Sequence, residues 1–160
     1  MPGPIYTVSV SSGESSGVSA KDFFEVDAST TERLILREVS FGAHASSQGS
    51  TAFLPVHIFR GSTAACAGGT TATLLKRDAR DRASNSVTTV NASSPSTGGD
   101  MIFSGMWNTR ERFVYRPDAT ERPVTGLGER LNVRVGVSVG TTFSWDGQII
   151  VEEAGTPASG

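Results

Sequence analysis

Residues 131–139 read Leu-Asn-Val-Arg-Val-Gly-Val-Ser-Val, and this stretch decides the fold class. Apolar side chains stand at 131, 133, 135, 137 and 139, with Asn132, Arg134, Gly136 and Ser138 between them. A period of two puts successive side chains on opposite faces of an extended strand, one buried and one wet. A second run follows Gly140, with Phe143, Trp145, Ile149 and Val151 on one side and Asp146-Gly147 as a turn or bulge within it. The short Gly140-Thr141 connection predicts that the two runs pair as a hairpin.

Working outward, the same pattern recurs at Ile5 to Val10, Asp22 to Val26, Arg33 to Phe41, Ala52 to Phe59, Val87 to Ala92, Met101 to Trp107 and Arg112 to Arg116. With the two C-terminal runs this makes about nine strands. Leu34-Ile35-Leu36 and Val56-His57-Ile58-Phe59 are apolar on both faces, so these strands are expected between covering layers or against another subunit. Ala72 to Ala83 has a helical look with mixed charges, and it predicts a solvated loop with one helical turn. Loops rich in small and polar residues fill Ser11 to Ser19, Ser46 to Ser50, Gly61 to Thr71 and Ser93 to Asp100. Such long connections fit Greek-key or jelly-roll crossings better than a meander. No fixed-period repeat points to a solenoid or propeller. The expected fold is an all-β antiparallel sandwich of jelly-roll type with about 8–9 strands. Residues 1–17 form an N-terminal arm and loop, 18–153 the sandwich, with strand 5–10 able to join it, and 154–160 a flexible tail.

The chain has 160 residues, 37% of them hydrophobic and 19% charged, and a formal net charge of −2. One domain of this length can bury an adequate core without metals or disulfides. Basic residues are interleaved with acidic ones, which argues against nucleic acid as the principal partner. No apolar run is long enough to span a membrane, and Met1-Pro2-Gly3-Pro4 does not read as a signal peptide. Cys66 is alone and reads as a free thiol without a chemical role.

Catalytic chemistry finds little support. The two histidines, His44 and His57, read as structural or surface residues, and no nucleophile-elbow pattern occurs. Their thirteen-residue separation is not a zinc spacing, and Asp78 and Asp81 are offset by Arg77, Arg80 and Arg82. Gly68-Gly69 and Gly98-Gly99 lack the Lys-Ser or Lys-Thr of a phosphate loop and read as turns. The expectation is a non-enzyme without cofactor or metal. Trp107, Arg110, Arg112, Tyr115 and Arg116 combine aromatic area with directional donors and are candidate interface residues, against the alternative that the aromatics are core. Ile5, Tyr6 and Val8 join them, because the first strand, with its Pro2-Gly3-Pro4 arm, is suited to adding to a sheet edge of another chain.

The order of segments Arg33 to Gly42, Pro55 to Gly61, Ser96 to Gly99, Glu129 to Val135 and Gly147 to Glu153 resembles the capsid decoration, or cement, proteins of tailed bacteriophages. The resemblance spans about residues 5–153 and rests on strand and turn patterns. It implies a jelly-roll protein on the exterior of a capsid built from an HK97-type major capsid protein, assembled in the host cytoplasm. Its partners would be that capsid protein and further copies of itself, as a dimer or trimer. A tail or fibre component, or a lectin-like sandwich stacking Trp107, Tyr115 or Trp145 on a sugar or receptor, is the competing reading.

Overall fold

The computed structural model describes residues 3–15, 20–44, 52–136 and 143–155. These residues form eleven strands: β1 (Ile5–Ser15), β2 (Lys21–Asp27), β3 (Glu32–Ala43), β4 (Phe53–Arg60), β5 (Thr70–Ala72), β6 (Leu75–Lys76), β7 (Val87–Val90), β8 (Asp100–Asn108), β9 (Phe113–Tyr115), β10 (Arg130–Val135) and β11 (Phe143–Gly155). One sheet has the order β6-β1-β11-β3-β9 and the other β5-β7-β2-β10-β4-β8, and every pairing is antiparallel.

The jelly roll is visible in which strands pair. Counting inward from the two ends, β1 pairs β11, β2 pairs β10, β3 pairs β9 and β4 pairs β8. These are the rungs of one long antiparallel ribbon, rolled so that alternate rungs fall in alternate sheets. β5, β6 and β7 lie at the tip of the ribbon and extend the two sheets at their edges.

Alternation along each strand fills the space between the sheets. Leu34, Leu36, Val39 and Phe41 of β3 and Leu54, Val56 and Ile58 of β4 are all buried. The centre is aromatic: the Phe23 ring stacks on Trp145 at 3.9 Å between centroids, and Phe41 meets Trp107 edge-on at 4.9 Å. Pairs of this kind add about 1 kcal/mol each beyond the area they bury. Gly147 sits within β11 because a Cβ there would meet the Ser40 carbonyl oxygen at 2.6 Å and the Phe41 Cβ at 2.7 Å.

Three sequence expectations change. β10 and β11 are not a hairpin, since they lie in opposite sheets, and Gly140-Thr141 falls outside the described residues. Alternation reports a buried face and carries no information about which strand lies alongside. The bulges lie in the partners of β11 rather than at Asp146-Gly147: the register slips between Val10 and Gly13 of β1, and Arg37 is the extra residue in β3. The Ala72 to Ala83 segment holds no helix; Leu75–Lys76 pairs with β1, and Asp81 closes a turn on Asp78. These short additions bring the strand count to eleven rather than eight or nine.

Candidate functional site

On the outer face of the six-stranded sheet, residues 61–69 and 91–99 cross over the central strands β2 and β10. Both segments leave a strand through a left-handed residue, Gly61 at φ 69° and Asn91 at φ 54°, and both end on a Gly-Gly pair whose first member has φ 73°. They bridge each other reciprocally, Ala64 with Thr97 and Ala67 with Ser94. A thirty-residue offset therefore relates them as two halves of one clasp.

Beneath the clasp is a buried polar network. Asp22 accepts from the Ser96 N–H at 2.8 Å, Asn132 Nδ2 at 3.1 Å and Arg134 Nε at 3.0 Å. Glu25 accepts from the Cys66 N–H at 2.9 Å and Asn132 Nδ2 at 2.7 Å, and the Ser62 hydroxyl donates to Asn132 Oδ1 at 2.7 Å. Buried carboxylates persist only when satisfied in this way. Potential ligand atoms of Asp22, Glu25 and Cys66 come within 4.8 Å of one another. The donor chemistry does not fit a cation: N–H groups and Arg134 already occupy the carboxylates. Burial, then the Glu25 charge beside it, pushes the Cys66 thiol up to about 12, so the thiolate that a metal needs is disfavoured. The network fastens the clasp to the sheet.

A further buried carboxylate, Glu153, lies near the end of β11. It accepts from the hydroxyls of Ser84 and Ser86 and from the Ser86 N–H, and Arg82 lies 3.0 Å away. Burial opposes its ionisation, but these donors and the guanidinium outweigh that and hold its pKa below the ordinary range.

The expected interface residues do not form one surface. Tyr6, Val8 and Trp107 are in the core, each at most 2% exposed, which removes them from any contact with a partner. Their strands alternate as expected; these three fall on the inward parity. β11 runs along one side of β1, and β6 covers the other side at Tyr6 and Thr7, so the start of the strand is not free to join another chain; from Val8 to Val10 no described strand pairs on the β6 side. Arg110 is exposed after β8, Arg112 pairs loosely with Asp146 at 3.6 Å, and Tyr115 packs its ring on Phe103. Arg116 binds Glu38 at 2.8 Å on the outer face of the five-stranded sheet, the face that also carries Ile5.

The strongest surface feature lies elsewhere. On the outer face of β4 and β8, Met106 stands opposite Pro55 and Met101 opposite Phe59, with Phe53 at the end of the stripe. Phe53, Met101 and Met106 are 64%, 53% and 60% exposed. The Arg134 guanidinium lies 4.5 Å over the Phe59 ring and closes the stripe against the clasp. β8 is also the last strand of its sheet, and no described strand pairs with its outer edge. Across Asp100–Asn108 its one charged residue is Asp100, and it contains no proline. Edge strands are normally protected by lysine, proline or a covering element, so a long unprotected edge beside apolar side chains is a surface suited to being covered. The sequence carried half of the signal: Met106 falls on the parity opposite Phe103 and Trp107, whereas Met101 shares theirs and is turned outward by the register shift that leaves Ile102 as an extra residue.

The surface also carries open concavities. One of about 670 Å³ is lined by Arg33, Arg60, Asp100 and Glu129 near the clasp. Another of about 430 Å³ gathers Ser9, Ser11, His44, Arg112 and Asp146 on the other sheet. No helix among the described residues is long and apolar enough to cross a membrane. Comparisons with protein-family models, with curated proteins and with solved structures each return no match.

Proposed function

We propose that this chain is a structural, non-catalytic module of a virus particle, acting as a decoration protein that bridges subunits of an HK97-type phage capsid. The observation that carries the reading is the β4/β8 face, where an unprotected strand edge lies beside Phe53, Met101 and Met106. A neighbouring capsid subunit, or another copy of this chain in a dimer or trimer, would cover it. The rolled ribbon and the fastened clasp support the role, because a rigid scaffold loses little conformational freedom on binding. The site would lie on the capsid exterior, with assembly in the host cytoplasm.

The carbohydrate-binding alternative is weaker, since Trp107 and Trp145 are buried and Tyr115 is packed on Phe103. The test is co-sedimentation of the purified chain with empty HK97-type capsid shells, set beside binding to a glycan array. Shell binding lost in Met106→Glu supports the proposal. Glycan binding without shell binding overturns it, as does ester hydrolysis that disappears in His44→Ala, which would make the Ser9, His44 and Asp146 concavity an active site.

A further inference from the structure

The outer face of the five-stranded sheet carries a basic concavity of about 180 Å³ with an apolar floor, and none of the roles above uses it. Its floor is Ile5 of β1 and Ile150 of β11. The bulge in β3 places two consecutive residues, Arg37 and Glu38, opposite the single residue Ile150, so that both line the concavity. Arg37 pairs with Glu152 at 2.6 Å and Arg116 with Glu38 at 2.8 Å. Arg77, which follows β6, and Arg122 bring the guanidiniums to four. Neither Arg77 nor Arg122 has a carboxylate partner among the described residues, and Arg122 Nε is buried without a hydrogen-bond acceptor. The concavity therefore has two positive charges in excess, on a chain whose net charge is −2.

We infer that this concavity binds a carboxylate carried on an aliphatic stem, a glutamate side chain of an acidic segment on a partner protein. The chemistry follows from the lining. Guanidinium forks present paired N–H donors to a planar oxyanion, and the isoleucine floor takes the methylenes. The volume is below that of a pocket for a drug-sized molecule, which suits one side chain. Arg37 and Arg116 are held in place by their glutamates, whereas Arg77 and Arg122 are the arms that engage the ligand. The site lies on the sheet opposite the β4/β8 face, so its failure leaves that docking reading intact, and the reverse also holds.

The test is fluorescence anisotropy with a labelled hexaglutamate peptide and the full chain, with inorganic phosphate as competitor. The expected result is binding that weakens with added salt and falls at least about tenfold in Arg77→Gln/Arg122→Gln, a loss on the scale of charge-assisted hydrogen bonds at a partly exposed site. Arg77→Lys/Arg122→Lys recovers part of it, since charge is kept and the fork is lost, and Arg110→Gln on a different surface leaves it unchanged. Thermal unfolding and circular dichroism of the glutamine variant, unchanged from wild type, show that the loss is not misfolding. Equal binding by the glutamine variant and wild type, no binding at low salt, or displacement of the peptide by an equal concentration of phosphate overturns the inference; the last outcome would mark a free-oxyanion site.

Discussion

Replacing Asp22 by alanine should release the clasp and cost more stability than almost any other polar substitution in the chain. Asp22 has no solvent exposure and accepts three hydrogen bonds, from Ser96, Asn132 and Arg134, the last a guanidinium with 18% side-chain exposure. Removing the carboxylate leaves Arg134 Nε and the Ser96 N–H without their acceptor, with Asn132 Nδ2 held by Glu25 alone and Arg134 losing its ion-pair partner, in a space closed by residues 91–99. Breaking a buried pair from one side costs about 3–5 kcal/mol. A domain of this length has a total stability on the order of 10–20 kcal/mol, and its melting temperature falls about 2–4 °C per kcal/mol. Asp22→Ala should therefore lower the melting temperature by roughly 10 °C. Asp22→Asn keeps the shape and one acceptor, so it should lose less. The exposed pair Asp78–Arg80 is the control, and Asp78→Ala should leave the melting temperature unchanged. Scanning calorimetry with urea unfolding reads all three. A loss below about 1 kcal/mol for Asp22→Ala would refute the claim that the network fastens the clasp.

Glu153 makes stability depend on acid. Its folded pKa is depressed, so its contribution is present above the unfolded pKa and is lost as pH falls through the folded one. Urea unfolding across the acidic range should show wild type losing more stability than Glu153→Gln as pH drops, and parallel curves would contradict the assignment. Cys66, its thiol pushed up to about 12, should react with iodoacetamide at mildly alkaline pH more than about tenfold more slowly in the folded chain than in urea, the lost thiolate fraction outweighing the thiolate's greater nucleophilicity. Rates within tenfold of each other would show that neither burial nor Glu25 controls the thiol.

The strands were legible because burial on one face imposes a period of two, and all nine expected segments contain one. Pairing was not legible. Leu131 to Val139 and Phe143 to Val151 alternate equally well in sequence whether their strands share a sheet or not, and β10 and β11 lie in different sheets. Strand parity misdirected the choice of surface residues for a related reason. Tyr6, Val8 and Trp107 are the kinds of residue that interfaces favour, but each falls on the inward parity, and only the sheet partner decides which parity is inward. The clasp was invisible because its two halves share backbone geometry at Gly61 and Asn91 and almost no side chains. The polar network beneath it joins Asp22 to residues 74 and 110 positions away, separations that no local pattern records.

Hydrogen exchange along β8 tests the central claim most directly. Within residues 101–107, the alternate amides that point away from β4 should exchange quickly in the isolated chain, where the outer edge is open, and slow by at least about tenfold when the chain is bound to capsid shells. Unchanged exchange in shell-bound protein, with protection arising on another face, would contradict the assignment of the β4/β8 face as the docking surface.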